Sequence, residues 1–303
     1  MAETSPSGSS LWIDREGRPG DTIGQPQEAL FFPSLSHGDT RVAVDGSDQG
    51  NVDVWILDAV RGTNTRLTFD EAVDYGPVWS PDDERIAFIS PRNGNADIFL
   101  RAADGSGEAE LLVTSTSFEM PFDWTRDGKT LVYMKRTQES KSDLWMVPLD
   151  GDRTPLAILQ GPSTETAPVL SPDERYVAYQ SDESGRNEIY VTRFPSGGGR
   201  WQVSVDGGIG PRWVGGEIFY VGDNTMMAVR VETGSSFRAG TPIALFTGQD
   251  VGTDLRSLPV RPGYDVSSNG QRFVMGRPVG DEDETTPVIM VVENWYSEFE
   301  DNP

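Results

Sequence analysis

Short apolar runs alternate with polar, turn-forming clusters along most of the chain, and they recur in a fixed order. An aromatic or aliphatic anchor precedes a turn, and the turn precedes a wholly apolar run. Trp79-Ser80-Pro81-Asp82-Asp83 leads into Ile86-Ala87-Phe88, Trp124-Thr125-Arg126-Asp127-Gly128 into Leu131-Val132-Tyr133, and Leu170-Ser171-Pro172-Asp173-Glu174 into Val177-Ala178-Tyr179. Pro presets φ for a turn and Asp or Gly accepts its unusual backbone, so each phrase predicts strand, tight turn, strand. Weaker copies begin at Leu35, Trp213 and Val266, the one at Trp213 with a turn shortened to Val214-Gly215-Gly216-Glu217. After each copy a second pattern predicts a third strand, as in Asp53-Val54-Trp55-Ile56, Asp97-Ile98-Phe99-Leu100, Asp143-Leu144-Trp145-Met146 and Glu188-Ile189-Tyr190-Val191. Turn residues and a fourth strand follow, as in Thr65-Arg66-Leu67-Thr68 or Glu110-Leu111-Leu112-Val113. The first five anchors lie about 43 to 46 residues apart and the last gap is about 53, the period of a four-stranded propeller blade.

The pattern therefore predicts an all-β chain: a six-bladed β-propeller of four-stranded antiparallel blades, closed by N- and C-terminal strands in the same blade. Tyr264-Asp265-Val266 and Arg272-Phe273-Val274-Met275 read as the first two strands of the last blade, and Pro287–Val292 as its third. The N-terminal stretch, either Leu11–Asp14 or Asp21–Gly24, completes that blade. A seventh blade built from the N-terminal hairpin and the C-terminal strand is the alternative. The repeat overrides the two-domain expectation that 303 residues would otherwise suggest. It gives one propeller domain over residues 11–296, a disordered leader over 1–10 and a disordered tail over 297–303.

The Ser-Pro-Asp turns at 80–82 and 171–173, the Arg92-Asn93-Gly94-Asn95 and Ser181–Asn187 loops, and the Asp-Ile/Leu-aromatic strands at 97–99 and 143–145 carry a resemblance. They resemble the TolB-like β-propeller repeats of bacteria, a family that includes propeller domains fused to receptor-type serine/threonine kinases and to prolyl-oligopeptidase-like peptidases. The resemblance spans about Leu11 to Trp295. It implies a protein or peptide partner, or a sensory role in a larger signalling protein, and a periplasmic or extracytoplasmic location. One fold hosts unrelated activities, so it implies no reaction.

Composition narrows the chemistry. A net charge of −23, with only three lysines among 25 basic residues, argues against nucleic acid and against anionic membrane surfaces. It favours neutral or cationic partners. No stretch approaches the roughly 18 apolar residues of a membrane span, which predicts no membrane insertion. With no Cys, neither disulfides nor thiolate metal sites are available. The only histidine, His37, falls in the turn of the first copy and reads as a solvated turn residue, and no Gly-x-Ser-x-Gly elbow is present. A nucleophile–histidine triad is thus unsupported, and the chain reads as a non-enzyme.

Acidic residues offer two further candidates. Asp45, Asp48 and Asn51 provide oxygen ligands at calcium-like spacing but lack the bidentate Glu of an EF-hand, and local turn hydrogen bonds account for them without a metal. Calcium is thereby the one cofactor expectation. Glu71, Asp74, Glu119 and Glu165 fall just before first strands, where a channel would open; they read as a cation or basic-peptide site, or as a solvated rim.

Connections from second to third strands, and from fourth strands to the next blade, emerge on one face, the Ser-Pro-Asp turns on the other. The first face holds the longer and more varied loops, where binding residues concentrate. Its candidate binding residues are Asp74, Tyr75, Arg92 and Asn93, then Phe118, Glu119 and Arg136, then Glu165 and Arg186. Arg256 and Arg261 come from the long segment at 248–261, read either as a cover for the channel mouth or as a surface excursion. The resulting expectation is a monomeric, non-catalytic scaffold or extracytoplasmic sensor for a protein or peptide. The alternatives are a small-ligand sensor for a sugar or peptide with a structural cation, and a carboxylate- or metal-dependent hydrolase or lyase acting in the channel.

Overall fold

In the computed structural model, residues 7–48, 50–137, 141–234, 236–256 and 261–278 are described. They form six antiparallel blades, two of which, blades 6 and 1, are joined into one seven-stranded sheet by the long strand Pro19–Leu35. Blade 2 shows the unit plainly: Tyr75–Trp79, Arg85–Ser90, Asp97–Ala102 and Glu110–Val113, paired in that order from the axis outward. Blades 3 and 4 repeat it from Phe118–Trp124 and Glu165–Leu170. Blade 5 starts at Ile209–Val214, turns through Gly215-Gly216, and takes Ile243–Thr247 as its outer strand, with Phe237–Ala239 pairing further along Thr225–Thr233.

Both faces of every blade are buried, which explains why the second strands read as continuous apolar runs rather than alternating ones. Ile86 packs towards blade 1, with Ala43, Val54 and Trp79, while the next residue, Ala87, packs towards blade 3 with Leu131 and Tyr133. One such cluster fills each of the six inter-blade gaps. The last of them joins Trp12, Ile23 and Val274 to Leu35, Val42 and Leu57, sealing blade 6 to blade 1. Among the described residues the gaps number six, each with its own core, so the ring has six blades.

Ring closure differs from the sequence expectation in its details. The third position of blade 6 is filled by Ser7–Asp14, which runs along Arg272–Pro278 from the pair Gly8/Pro278 to Asp14/Arg272. Residues 287–292, expected in that position, lie outside the described residues. The N-terminal segment supplies two strands instead of one, because the Asp14 carboxylate accepts the N–H groups of Glu16 and Arg18, each at 2.9 Å, and folds a hairpin there. The returning strand, Pro19–Leu35, is 17 residues long: its first part completes blade 6 and its last part opens blade 1. Ser7–Ser10, expected in the leader, belong to strand.

The turns that define the repeat are built alike. Ser80, Thr125 and Ser171 each bond the Asp two residues on (Asp82, Asp127, Asp173), and Ser267 bonds Asn269 in the same way. Asp39, Asp83, Gly128, Glu174 and Gly270 take the left-handed position of these turns. Neighbouring turns are also tied together. Asp83 accepts the backbone N–H groups of His37 and Gly38, and Asp39 accepts the N–H and Oγ–H of Ser268, linking blade 1 back to blade 6.

Candidate functional site

Five innermost strands share a device that positions the channel wall. Their pairing slips between Phe31 and Ser34, Tyr75 and Val78, Pro121 and Asp123, Thr166 and Val169, and Ile209 and Arg212. In four of them a residue with positive φ precedes a proline: Phe32-Pro33, Gly76-Pro77, Ala167-Pro168 and Gly210-Pro211. Proline is tolerated because the inner edge of an innermost strand needs no N–H for a ladder, and a bulge is where such an edge bends. Past each slip, the residue before the anchor borders the channel. That ring is Ser34, Val78, Asp123, Val169, Arg212 and Asp265, one from each blade.

These residues line a chamber of about 480 Å³ that opens among the Ser-Pro-Asp turns, with His37, Asp39, Arg126 and Glu174 at its rim. Arg261 also borders it. This side chain enters from just before the innermost strand of blade 6 and crosses the channel, donating from Nη2 to the carbonyl of Pro77 in blade 2. The rings of Phe32 in blade 1 and Phe122 in blade 3 each lie 5.8 Å from its guanidinium. Gly76 makes room for it, since a Cβ there would lie 3.0 Å from Nη1. Arg261 is 2 % exposed, and its Nε and Nη1 have no hydrogen-bond partner among the described residues.

The carboxylates around the chamber are already engaged. Asp123 accepts the N–H groups of Leu170 (2.7 Å) and Trp124 (2.8 Å). Asp265 accepts those of Leu35 and Val266 and the Nε–H of Arg212 at 2.8 Å. Burial pushes the Asp123 carboxyl up to about 6 against these donors. Behind Arg261, Asp45 is 2 % exposed and accepts the Gly76 N–H at 2.7 Å. Burial pushes Asp45 up to about 8, against the pull of Arg261 and the Gly76 bond. Burial also brings Arg261 down to about 10, which leaves it charged at neutral pH.

Of the binding-face residues expected from sequence, Arg261 borders this chamber and the others do not. Asp74 is fully buried and held by Arg92 at 2.8 and 2.9 Å, with Arg92 stacked on Phe99. Glu119 is buried against Ser115 and Lys135, and burial raises its pKa. Glu165 is also buried, pushed up to about 7 by desolvation and the nearby Asp143. Arg186 pairs with Glu188 and Asp206, and Arg256 with Asp254 and Asp223. Asn93 is exposed, and Arg136 lies over Phe118 with Tyr75 half-buried nearby. The acids before first strands are thus inter-blade posts, while Glu71 is exposed.

The suggested calcium loop is a β-hairpin whose residues face different ways. Asp45 turns inward to Gly76, whereas Asn51 donates to Asp53 and to the carbonyl of Asp70; the Asp48 side chain lies outside the description. Among the described residues, no group of three or more His, Cys, Asp or Glu side chains could hold a metal ion. In the long segment, Gly248–Val251 forms one helical turn and Leu255 packs on the core between blades 5 and 6; Leu258 and Val260 lie outside the described residues.

Six antiparallel blades around an axial chamber define a six-bladed β-propeller. The chain resembles TolB-like propellers: residues 14–154, just under half of it, match the family model described as the TolB beta propeller domain. It is 27% identical over 241 residues to Tricorn protease homolog 1 of Streptomyces coelicolor, covering 74% of this chain and 22% of that protein. It is 25% identical over 116 residues to the Tol-Pal system protein TolB of Helicobacter pylori, covering 38% of this chain and 27% of that one. The chain therefore spans about a quarter of the length of these relatives. A solved TolB candidate from Agrobacterium tumefaciens shares the fold with a TM-score of 0.67 and 15% identity, over 91% of this chain and 99% of that one. A protease homolog and a Tol-Pal protein both stand among these relatives, so the likeness assigns the fold and no reaction.

Proposed function

We propose that this propeller is a non-catalytic binding module that takes a protein or peptide ligand at the turn-face mouth of its channel. The observation that carries the reading is the chamber itself: a wall drawn from all six blades, fixed by proline bulges, with an arginine held across it. Its carboxylates are committed to backbone N–H groups, which suits a rigid binding surface better than acid–base chemistry. His37, at the rim, is exposed and bonded to Asp83 rather than set beside a nucleophile. The −23 charge favours a neutral or cationic ligand, and the Tol-Pal relative is consistent with a protein partner. A small-ligand sensor is the second reading, favoured by the chamber volume, which falls in the range of small-molecule pockets.

The test is site-specific photocrosslinking in extracts of the source organism. A benzophenone amino acid is placed at Ser268 on the turn rim or at Asn93 on the loop face. A discrete protein adduct from Ser268 alone supports the reading. An adduct from Asn93 alone moves the binding face to the loops, and no adduct from either position removes the protein-partner reading.

A further inference from the structure

We propose that the inner end of the chamber is a carboxylate subsite, in which Arg261 receives the C-terminal carboxylate of a partner polypeptide. This rests on the reading of the chamber as the binding site. A buried guanidinium without acceptors is costly, because each unmet N–H has given up its hydration without replacement, and the cost is greater when the group is charged. Among the described residues Arg261 has one acceptor, the carbonyl of Pro77, and its Nε and Nη1 have none. It forms no ion pair among the described residues, although acids surround it. Asp123 and Asp265 have turned their oxygens to backbone N–H groups of the neighbouring blades, and Asp265 also neutralises Arg212. Asp45 is bonded to Gly76. The chamber therefore ends in donors, and what they lack is an anionic acceptor.

The surroundings select which anion. Asp39 and Glu174 at the rim, and a chain of net charge −23, repel ligands carrying several negative charges. A single carboxylate at the tip of an otherwise neutral or basic peptide meets both conditions: the acidic rim attracts the body and the buried arginine receives the end. Phe32 and Phe122 flank the guanidinium and keep water from it, which strengthens a charge-assisted hydrogen bond made there. The chamber also narrows recognition to a chain end, since a wall built from all six blades admits a tip rather than a continuous strand.

The experiment uses the full chain and three probes: N-acetyl-Lys-Ala-Ala as the free acid, the same peptide as the C-terminal amide, and N-acetyl-Lys-Glu-Ala amide. Binding is read by calorimetry and by fluorescence of Trp79, Trp124 and Trp213, which line the chamber. The free acid is expected to bind at least tenfold tighter than the amide, and Arg261→Gln to abolish that difference. Equal binding of the Glu-containing amide and the free acid overturns the terminal source and moves the subsite to side-chain carboxylates. Equal binding of acid and amide, or no binding of any probe, overturns the proposal on wild-type protein alone, whether or not the variant folds. A Ser268 adduct that persists after such a result leaves the binding-module reading standing, so the two fail separately.

Discussion

Asp45 is predicted to make this protein less stable as pH rises from 5 to 7, and Asp45→Asn to remove that slope. The carboxyl is 2 % exposed, and burial pushes its pKa up to about 8, from the ordinary aspartate value of 3.8. A carboxyl with a raised pKa keeps its proton in the folded state at pH values where the unfolded chain has lost it. Its favourable contribution is therefore complete below about pH 4 and declines as pH climbs through the folded value. Between those limits the folded state holds one extra proton, which corresponds to a slope of about −1.4 kcal/mol per pH unit. From pH 5 to 7 the decline reaches about 3 kcal/mol, a large part of the 5–15 kcal/mol typical of a domain. Asparagine keeps an oxygen for the Gly76 N–H and cannot ionise. Urea unfolding at pH 5, 6 and 7 and constant ionic strength gives the stability of both proteins, and their difference isolates Asp45 from every other titrating group. A difference that stays constant across the three pH values would mean that Asp45 is already ionised beside Arg261, and would refute the argument that desolvation dominates.

Two further substitutions probe the channel and the closure. Gly76→Ala places a Cβ 3.0 Å from Arg261 Nη1 at a φ of +68°, so it is expected to lose roughly 1–2 kcal/mol from backbone strain and to shift Arg261. Thermal denaturation checks the first effect, and the acid-versus-amide peptide preference checks the second. Trp12→Ala empties part of the core joining blade 6 to blade 1 and removes the ring on which Arg272 stacks at 4.1 Å. A loss of about 3–5 kcal/mol in denaturant unfolding is expected, with early proteolytic cleavage near the N-terminal strands.

The repeat made the blades legible because each structural duty recurs with the same residue types: an anchor, a Ser or Thr that closes the turn, a residue in the left-handed position, and an apolar run buried on both faces. Closure was partly legible. The apolar residues Leu11, Trp12, Ile13 and Ile23 signal strands, but which end of the chain fills the third position depends on pairing along Arg272–Pro278, a long-range contact with no local signature. The proposed site was least legible. Loop length and variety pointed to the opposite face, whereas the chamber is built from short, regular strands. One signal was available: proline recurs two residues before the anchors at Pro33, Pro77, Pro168 and Pro211, where an ordinary central strand would exclude it. Read as bulges, those prolines mark the channel wall. The acids before first strands looked like a channel rim because their burial between blades, beside Arg92 or Lys135, is a tertiary outcome.

Departures from the repeat in the channel ring separate structural demand from what is left over. Asp123 lies one blade before the anchor Leu170, and Asp265 one blade before Leu35; each bonds the N–H of that aliphatic anchor. Before Trp79, Trp124 and Trp213 the corresponding residues are Ser34, Val78 and Val169, so the two acids accompany the two leucine anchors and have a task in the ring. Arg212 is then explained as the cation that neutralises Asp265. Arg261 has no such account. It stands outside the repeat, crosses the channel, needs a glycine to fit, and among the described residues gives the blades one hydrogen bond to a carbonyl while remaining charged at neutral pH. A methionine or leucine of similar reach would fill the same space without the desolvation cost of a buried charge. The balance of cost and structural return at Arg261 therefore favours a role in binding, and an anionic ligand group supplies the missing acceptor.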